Sequence, residues 1–397
     1  MEDLKYDITK EYRDVVERVS QKFGYNADLK ATLDRILPAM LYGANYEERQ
    51  IYYQMLEHTP IILIPSDTKV STKELTDRYI GNVNPHIIEE KTDEGEYGRV
   101  APEGAFIVEP VIDENLNLIG RKQFLFVKAI DTSKKILSNS KERIERFGTG
   151  INVPHLIHEL GHAWAGEVKT YRMEGNELIF SIGPLESRHS LSVMEDGKYS
   201  IKRTSREGLF IEEGLNTEAE IEAVARYLGI TREEVEMIYK ENPSISSNYH
   251  AWVAPMTAYL TEIASKKDIN LWRIHKDKNA MGRINEKLSH SQRYQQRDVP
   301  TQEDIKLIQF VINPKTDVQK DIFERNISVF KKDRTSLTPL QLFENDLEKS
   351  FVISTNNFRF ALEDYQDLIY NAVRPAYVML NQTNEIYKNN QSKQEQK

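Results

Sequence analysis

Over residues 1–57, charged side chains are interleaved with Val15, Val16, Val19, Leu29, Leu33, Ile36, Leu37, Met40 and Leu41. Spacings of three and four place these apolar residues on one face of a 3.6-residue period, which predicts two or three helices. From Ile61 the texture changes to short apolar runs, IILI at 61–64, AFIV at 105–108 and QFLFVKA at 123–129, separated by clusters of Asp, Asn, Gly and Pro. Runs of this length bounded by turn-forming residues are strand signals.

Further on, ELIFSI at 177–182 and LSVM at 191–194, with Asp196-Gly197 ahead of KYSI at 198–201, predict one or two hairpins. They are expected to cover one side of the chemical site considered below. From Gly208 the period is helical again, through Ile211, Leu215, Ala219, Ile221, Ala225 and Leu228, with Gly229 as a stop signal. A further helix is expected through Val235 to Tyr239. Residues 289–304 have few apolar anchors and read as a linker or long loop. A helical C-terminal region is expected over 300–383, and a polar, disordered tail over 384–397.

Composition narrows the function classes. A chain of 397 residues that is 39% hydrophobic and 29% charged can bury a sizeable core and is long enough for two or three subdomains. Fifty-three basic against 62 acidic residues give a net charge of -9, a field that repels nucleic acid and anionic membrane. No local basic patch reverses it, so neither is expected as a partner. No stretch approaches the run of about twenty apolar residues that a membrane span needs. The start, MEDLKYDITKEYRDVVERV, is too charged for a signal peptide. The expected location is cytoplasmic, with signal-independent secretion left open. The chain has 0 cysteines, which removes disulfides and thiolate chemistry, so a zinc ion would have to be held by His, Asp or Glu.

The candidate chemistry centres on His158-Glu159-Leu160-Gly161-His162. Histidines four apart leave the same face of a helix about one turn from each other, so both imidazoles can reach one metal ion. Glu159, beside them, can point its carboxylate past the metal to a bound water and take its proton during attack on a carbonyl. The five-residue pattern is weak by itself, and two histidines packed in a core helix are the competing reading. The flanks strengthen it. Val153, Leu156, Ile157, Leu160, Ala163 and Trp164 form an apolar face, Asn152 can cap the N-terminus, Pro154 falls in the first turn and Gly166 can end the helix. His155 shares the face of His158 and reads equally as a group near substrate or as part of the cleft wall.

The segment His-Glu-Leu-Gly-His-Ala, on an apolar helix that follows strands, resembles the active helix of the zincin metallopeptidases. That resemblance implies peptide-bond hydrolysis with Zn2+ as cofactor, and a cleft edge formed by the strand before the helix, here 124–129, along which an extended peptide adds. A metzincin would continue with glycine and a third histidine where this chain has Ala165 and Val168, so that branch is excluded. The gluzincin branch takes its third ligand from a glutamate on a later helix. FIEEGLNTE at 210–218 resembles such a segment, which implies Glu213 as the ligand, Gly214 for close helix packing and Thr217 near a ligand histidine. Glu218 is the rival third ligand, because Glu218-Ala219-Glu220 ahead of an apolar face also resembles third-ligand segments in gene-regulatory zincins. Glu212, Glu220 and Glu222 read as a solvated face, with acids favoured near the N-terminus by the helix dipole.

A hydrolase of this type needs a group that steadies the oxyanion opposite the metal. His250, with Tyr249 beside it as the alternative, lies at the start of an apparent helix and is the candidate, against an ordinary packed aromatic cluster. His58, His86, His189, His275 and His290 lack ligand spacing and read as surface or structural residues. Arg203 and Arg206 could meet a substrate carboxylate or the acidic helix. No phosphate loop, nucleophile elbow or DNA-binding pattern points to other chemistry.

The expected fold class is therefore α+β: a zincin-like metalloprotease core over 58–290, made of a twisted mixed sheet plus an active-site helix, flanked by helical regions at 1–57 and 300–383. The expected function is a zinc metallopeptidase with His158, His162 and Glu213 on the metal, Glu159 and His250 as catalytic groups, and a peptide or protein as substrate. A narrow-specificity protease acting on one regulator or host protein, and a non-catalytic peptide-binding module on the same fold, are the alternatives.

Overall fold

The computed structural model describes residues 8–65, 67–89, 102–129, 150–165, 168–182 and 185–241, together with Leu337, Gln341 and Glu344. The chain divides into two compact units, Met1–Lys287 and Leu288–Lys397, and all the helices and strands with described bounds lie in the first. The linker expected at 289–304, the tail at 384–397, and Tyr249 and His250 fall outside the described residues, as does the helical region expected at 300–383 apart from the three residues just named.

Three helices open the chain: α1 (Ile8–Phe23), α2 (Ala27–Met40) and α3 (Tyr46–His58). Their starts are chemically marked. Asn26 Oδ1 accepts from Leu29 N–H at 2.8 Å, and Asn45 forms a reciprocal capping box with Glu48 at 2.9 and 2.7 Å, which satisfies backbone donors that a helix start leaves unpaired. Next come β1 (Ile61–Ile64), α4 (Thr72–Tyr79), β2 (Ile87–Glu89), β3 (Gly104–Ile112) and β4 (Leu118–Lys128). The candidate metal helix is α5 (Val153–Ala165). Four strands follow, β5 (Val168–Glu174), β6 (Glu177–Ile182), β7 (Leu185–Val193) and β8 (Tyr199–Glu207), then α6 (Leu209–Leu228) and α7 (Arg232–Glu241). The short elements α4, β2 and β5 carry too little apolar periodicity to be read from the sequence; α4 buries only Leu75.

The class is α+β with two mixed sheets. In the smaller, ordered β1-β4-β3, β4 pairs parallel with β1 and antiparallel with β3. In the larger, ordered β2-β8-β7-β6-β5, only the β2–β8 pairing is parallel. Strand β4 explains the unbroken apolar run that marks it. Leu125 and Val127 enter a core shared by α1, α2, α3, α5, α6 and α7, while Phe124 and Phe126 point the other way into a cluster with Ile64, Val70, Leu75 and Ile80. A strand covered on both faces has no polar alternation to show. It also has neighbours on both sides, so 124–129 is not the sheet edge that the family resemblance implied; among the described residues β1 and β3 are the edges of this sheet.

Two left-handed glycines set the limits of α6. Gly208 precedes it at φ 80° and Gly229 closes it at φ 66°, a backbone region in which a Cβ is strained. The far end of α6 is fastened to α2 by crossed arginines: Arg35 Nη2 donates to Tyr227 O at 3.2 Å and Arg226 Nη1 to Ala39 O at 3.4 Å. Each side chain supplies the other helix's last carbonyls with a donor. No described helix is long and apolar enough to cross a membrane.

Candidate metal centre

Helix α5 is buried almost all round. Val153, Leu156, Ile157 and Leu160 are 0% exposed, and Trp164 packs edge-on against Tyr52 with ring centroids 5.2 Å apart. Each such apolar side chain contributes roughly 1.5–3 kcal/mol on burial, which offsets the cost of also bringing His158 and Glu159 indoors. Asn152 starts the helix as expected: its Oδ1 accepts from His155 N–H at 3.4 Å and its O from Leu156 N–H at 2.9 Å. Gly166, the expected stop, lies outside the described residues.

Helix α6 crosses α5 and is tied to it inside the core, where Asn216 Nδ2 donates to His158 O at 2.8 Å. This brings three donor atoms together. His158 Nε2 and His162 Nε2 are 3.0 Å apart, and Glu213 Oε2 stands 3.1 Å from the first and 3.3 Å from the second. His158, His162 and Glu213 form the one group among the described residues whose geometry could hold a metal ion.

Each ring is oriented from behind by another carboxylate. His158 Nδ1–H donates to Glu220 Oε2 at 2.9 Å and His162 Nδ1–H to Glu212 Oε1 at 2.6 Å, the protons being assigned to Nδ1 because a carboxylate can only accept. In the neutral rings both Nε2 lone pairs then face the Glu213 oxygen. Three electron-rich atoms at this spacing repel one another unless positive charge sits among them. Burial alone would lower the His158 pKa, but Glu213 and Glu220 outweigh it and raise it to about 9. His162 is likewise raised well above its ordinary value, against burial, by Glu212 and Glu213. Burial opposes ionisation of Glu213, yet the two imidazoles hold its carboxyl far below the usual range. The pocket is therefore built for cationic charge, either two protons or a metal ion.

Glu159 sits beside this group without joining it. Its Oε2 accepts from Phe106 N–H at 2.8 Å, and a Cβ on Gly104 would lie 3.1 Å from its Cγ and 3.3 Å from its Oε1. Glycine at 104 is thus the space in which the carboxylate rests against β3. Burial raises its pKa, with the two histidines opposing.

Several expectations are corrected here. Glu212 and Glu220 do not form a solvated face: they are 5% and 1% exposed and hold the ligand-type histidines. Glu218 is not among the donors. It is 1% exposed and pairs with Arg232 Nη1 at 2.6 Å. Glu222 is the acid of this helix that stays at the surface, paired with Arg226 at 3.2 Å. Glu220, three residues beyond Thr217, bonds the ring of His158. Arg203 lies on β8 opposite His189, and His189 is buried against the Phe180 ring at 4.7 Å. Sequence reasoning missed Gly104, Phe106, Asn216, Glu220 and Tyr239. For two of them, Asn216 and Glu220, a signal existed: Glu213, Asn216, Thr217 and Glu220 fall at i, i+3, i+4 and i+7, one polar stripe along the helix. The chain matches no family model, no curated protein and no solved structure.

Proposed function

We propose that this chain is a zinc-dependent peptidase on a zincin-like core, with His158, His162 and Glu213 as ligands and Glu159 as general base. The observation that carries this reading is the convergence of two Nε2 atoms and one carboxylate oxygen within 3.0–3.3 Å, beside a fourth acidic group that is not a ligand. Zinc bonds of 2.0–2.1 Å in a tetrahedron put neighbouring donors about 3.3 Å apart, close to these edges, and two imidazoles with a glutamate leave the fourth position open. A purely structural site closes all four.

Zinc held there supplies a Lewis acid that polarises a carbonyl and makes a water acidic near neutral pH. The protein's own share is proton handling and substrate alignment. Glu159, raised by burial and steered by Phe106 N–H, is suited to take a proton and return it to the leaving amine. Strand β3 is suited to align the peptide. Lys128 N–H donates to Glu103 O at 2.7 Å, so the odd-numbered residues of β3 face β4 and the even-numbered ones turn their backbone outward, as Phe106 N–H does toward Glu159. An extended substrate could pair with that outer edge around Val108.

The test is zinc content together with hydrolysis of a peptide library by wild type and Glu159→Gln. One zinc per chain in both, with hydrolysis lowered on the order of 10²–10⁴-fold in the variant, is expected. Wild type that stays free of zinc after reconstitution, or a variant that hydrolyses as fast as wild type, would overturn the proposal.

A further inference from the structure

We infer that Tyr239, on α7, is a positioning residue for the metal: it fixes Glu220, and through Glu220 the ring of His158. This rests on the zinc reading of the site above. Glu220 is 1% exposed and both its oxygens are committed, Oε2 to His158 Nδ1–H at 2.9 Å and Oε1 to the Tyr239 hydroxyl, which donates to it. Tyr239 is 0% exposed and stands in the core with Val235 and Ile238 at 0% and 1%, so its hydroxyl is delivered from a helix that carries no metal ligand.

The chain Tyr239–Glu220–His158 has a definite consequence. A carboxylate that accepts from Nδ1–H locks the imidazole in the tautomer whose Nε2 lone pair faces the metal, fixes the ring plane and makes the ligand more basic. A carboxylate held at one oxygen only can rotate about its terminal bond, and the ring can turn with it. With its second oxygen held by Tyr239, Glu220 has one orientation. The ring of His158 is therefore positioned by α6 and α7 together.

The experiment titrates zinc alone into the full chain against a chromophoric chelator, for wild type, Tyr239→Phe and Glu220→Gln. Cobalt(II) absorption spectra and unfolding of the metal-stripped proteins are recorded alongside. Both variants are expected to bind zinc on the order of 10–100-fold more weakly, with shifted cobalt bands. A merely structural role for Tyr239 lowers the unfolding midpoint of stripped and loaded protein alike and leaves the zinc constant and cobalt spectrum as in wild type; that result overturns the inference alone. Wild type without stoichiometric zinc overturns the peptidase reading and this inference together. Glu220→Gln, which keeps the side chain's size, carries the test if Tyr239→Phe does not fold.

Discussion

Replacing Glu213 or Glu218 separates a ligand from a buried ion pair by what each does to the zinc-dependent part of stability. A ligand that binds only the folded state adds RT ln(1 + [L]/Kd), about 4 kcal/mol at a thousandfold excess over Kd. For a unit of this size each kcal/mol moves the unfolding midpoint by roughly 2 °C or slightly more, so zinc is expected to raise the wild-type midpoint by about 8 °C over stripped protein. Glu213→Ala removes one of three donors converging at 3.0–3.3 Å, and the zinc increment should collapse. Its stripped form should also lose stability, because both imidazoles favour the ionised Glu213 carboxylate, and the difference between loaded and stripped protein isolates the ligand's share. Glu218→Ala behaves oppositely. It deletes the buried partner of Arg232 at 2.6 Å, but Arg232 keeps Glu236 at 2.8 Å and is 31% exposed, so the loss is nearer 1–2 kcal/mol than the 3–5 typical of a fully buried pair. That loss appears equally in stripped and loaded protein and leaves the zinc increment intact. Scanning calorimetry with and without chelator reads all four numbers. An increment that survives Glu213→Ala and vanishes in Glu218→Ala would refute the assignment of the third ligand.

Three other perturbations follow from particular contacts. Gly104→Ala places a methyl 3.1 Å from Glu159 Cγ in a backbone conformation that accepts alanine. Zinc content should hold while kcat on peptide substrate falls roughly several-fold to tenfold, since a 1 Å misplacement costs about 10²-fold and this one is a few tenths of that; an unchanged kcat would remove Gly104 from the account. His189 is held neutral down to a pKa of about 4 by burial and by Arg203. Because the folded pKa is depressed below an unfolded value near 6.5, the unfolded chain binds the extra proton between those values and stability drops as pH falls through that window. Urea unfolding at pH 7 and pH 5 should show a wild-type drop larger by roughly 2 kcal/mol than that of His189→Phe, and equal drops would show that the ring is not held neutral. Leu33→Ala, at 0% exposure on α2 in the core shared with α5 and α6, should cost about 2–5 kcal/mol in the single transition that also releases zinc; a separate early transition with zinc retained would make α1–α3 an independent module.

How much of this was legible in the sequence depends on which force placed each residue. The three N-terminal helices, α5, β4 and the extent of α6 between Gly208 and Gly229 are written in local periodicity and in turn chemistry, and they appear where the pattern puts them. His158, Glu159 and His162 are legible because their geometry is local: four residues on one helix fix the ring spacing. The order of the smaller sheet was not legible. The continuous run at 123–129 shows that a strand is buried on both faces and says nothing of whether it lies inside the sheet or at its edge, so β3 and its Phe106 N–H could not be foreseen beside Glu159.

The acids of α6 show the limit most clearly. From sequence, Glu212, Glu220 and Glu222 are alike: carboxylates near a helix start, where the dipole favours them and water usually surrounds them. In the fold only Glu222 is at the surface, and what separates it from the other two is the position of α5, a helix some fifty residues earlier. A buried carboxylate is costly unless it meets a donor or a cation. Glu212 and Glu220 each meet an imidazole N–H, and Glu213 meets the lone-pair side of both rings, where only positive charge resolves the repulsion. Three carboxylates around two histidines call for positive charge, which two protonated imidazoles or one divalent cation would supply to the same extent. The same excess that made the third ligand ambiguous in the sequence becomes, once α5 lies against α6, a group of donors whose geometry could hold a metal ion, and stoichiometric metal binding is what separates that state from the doubly protonated one.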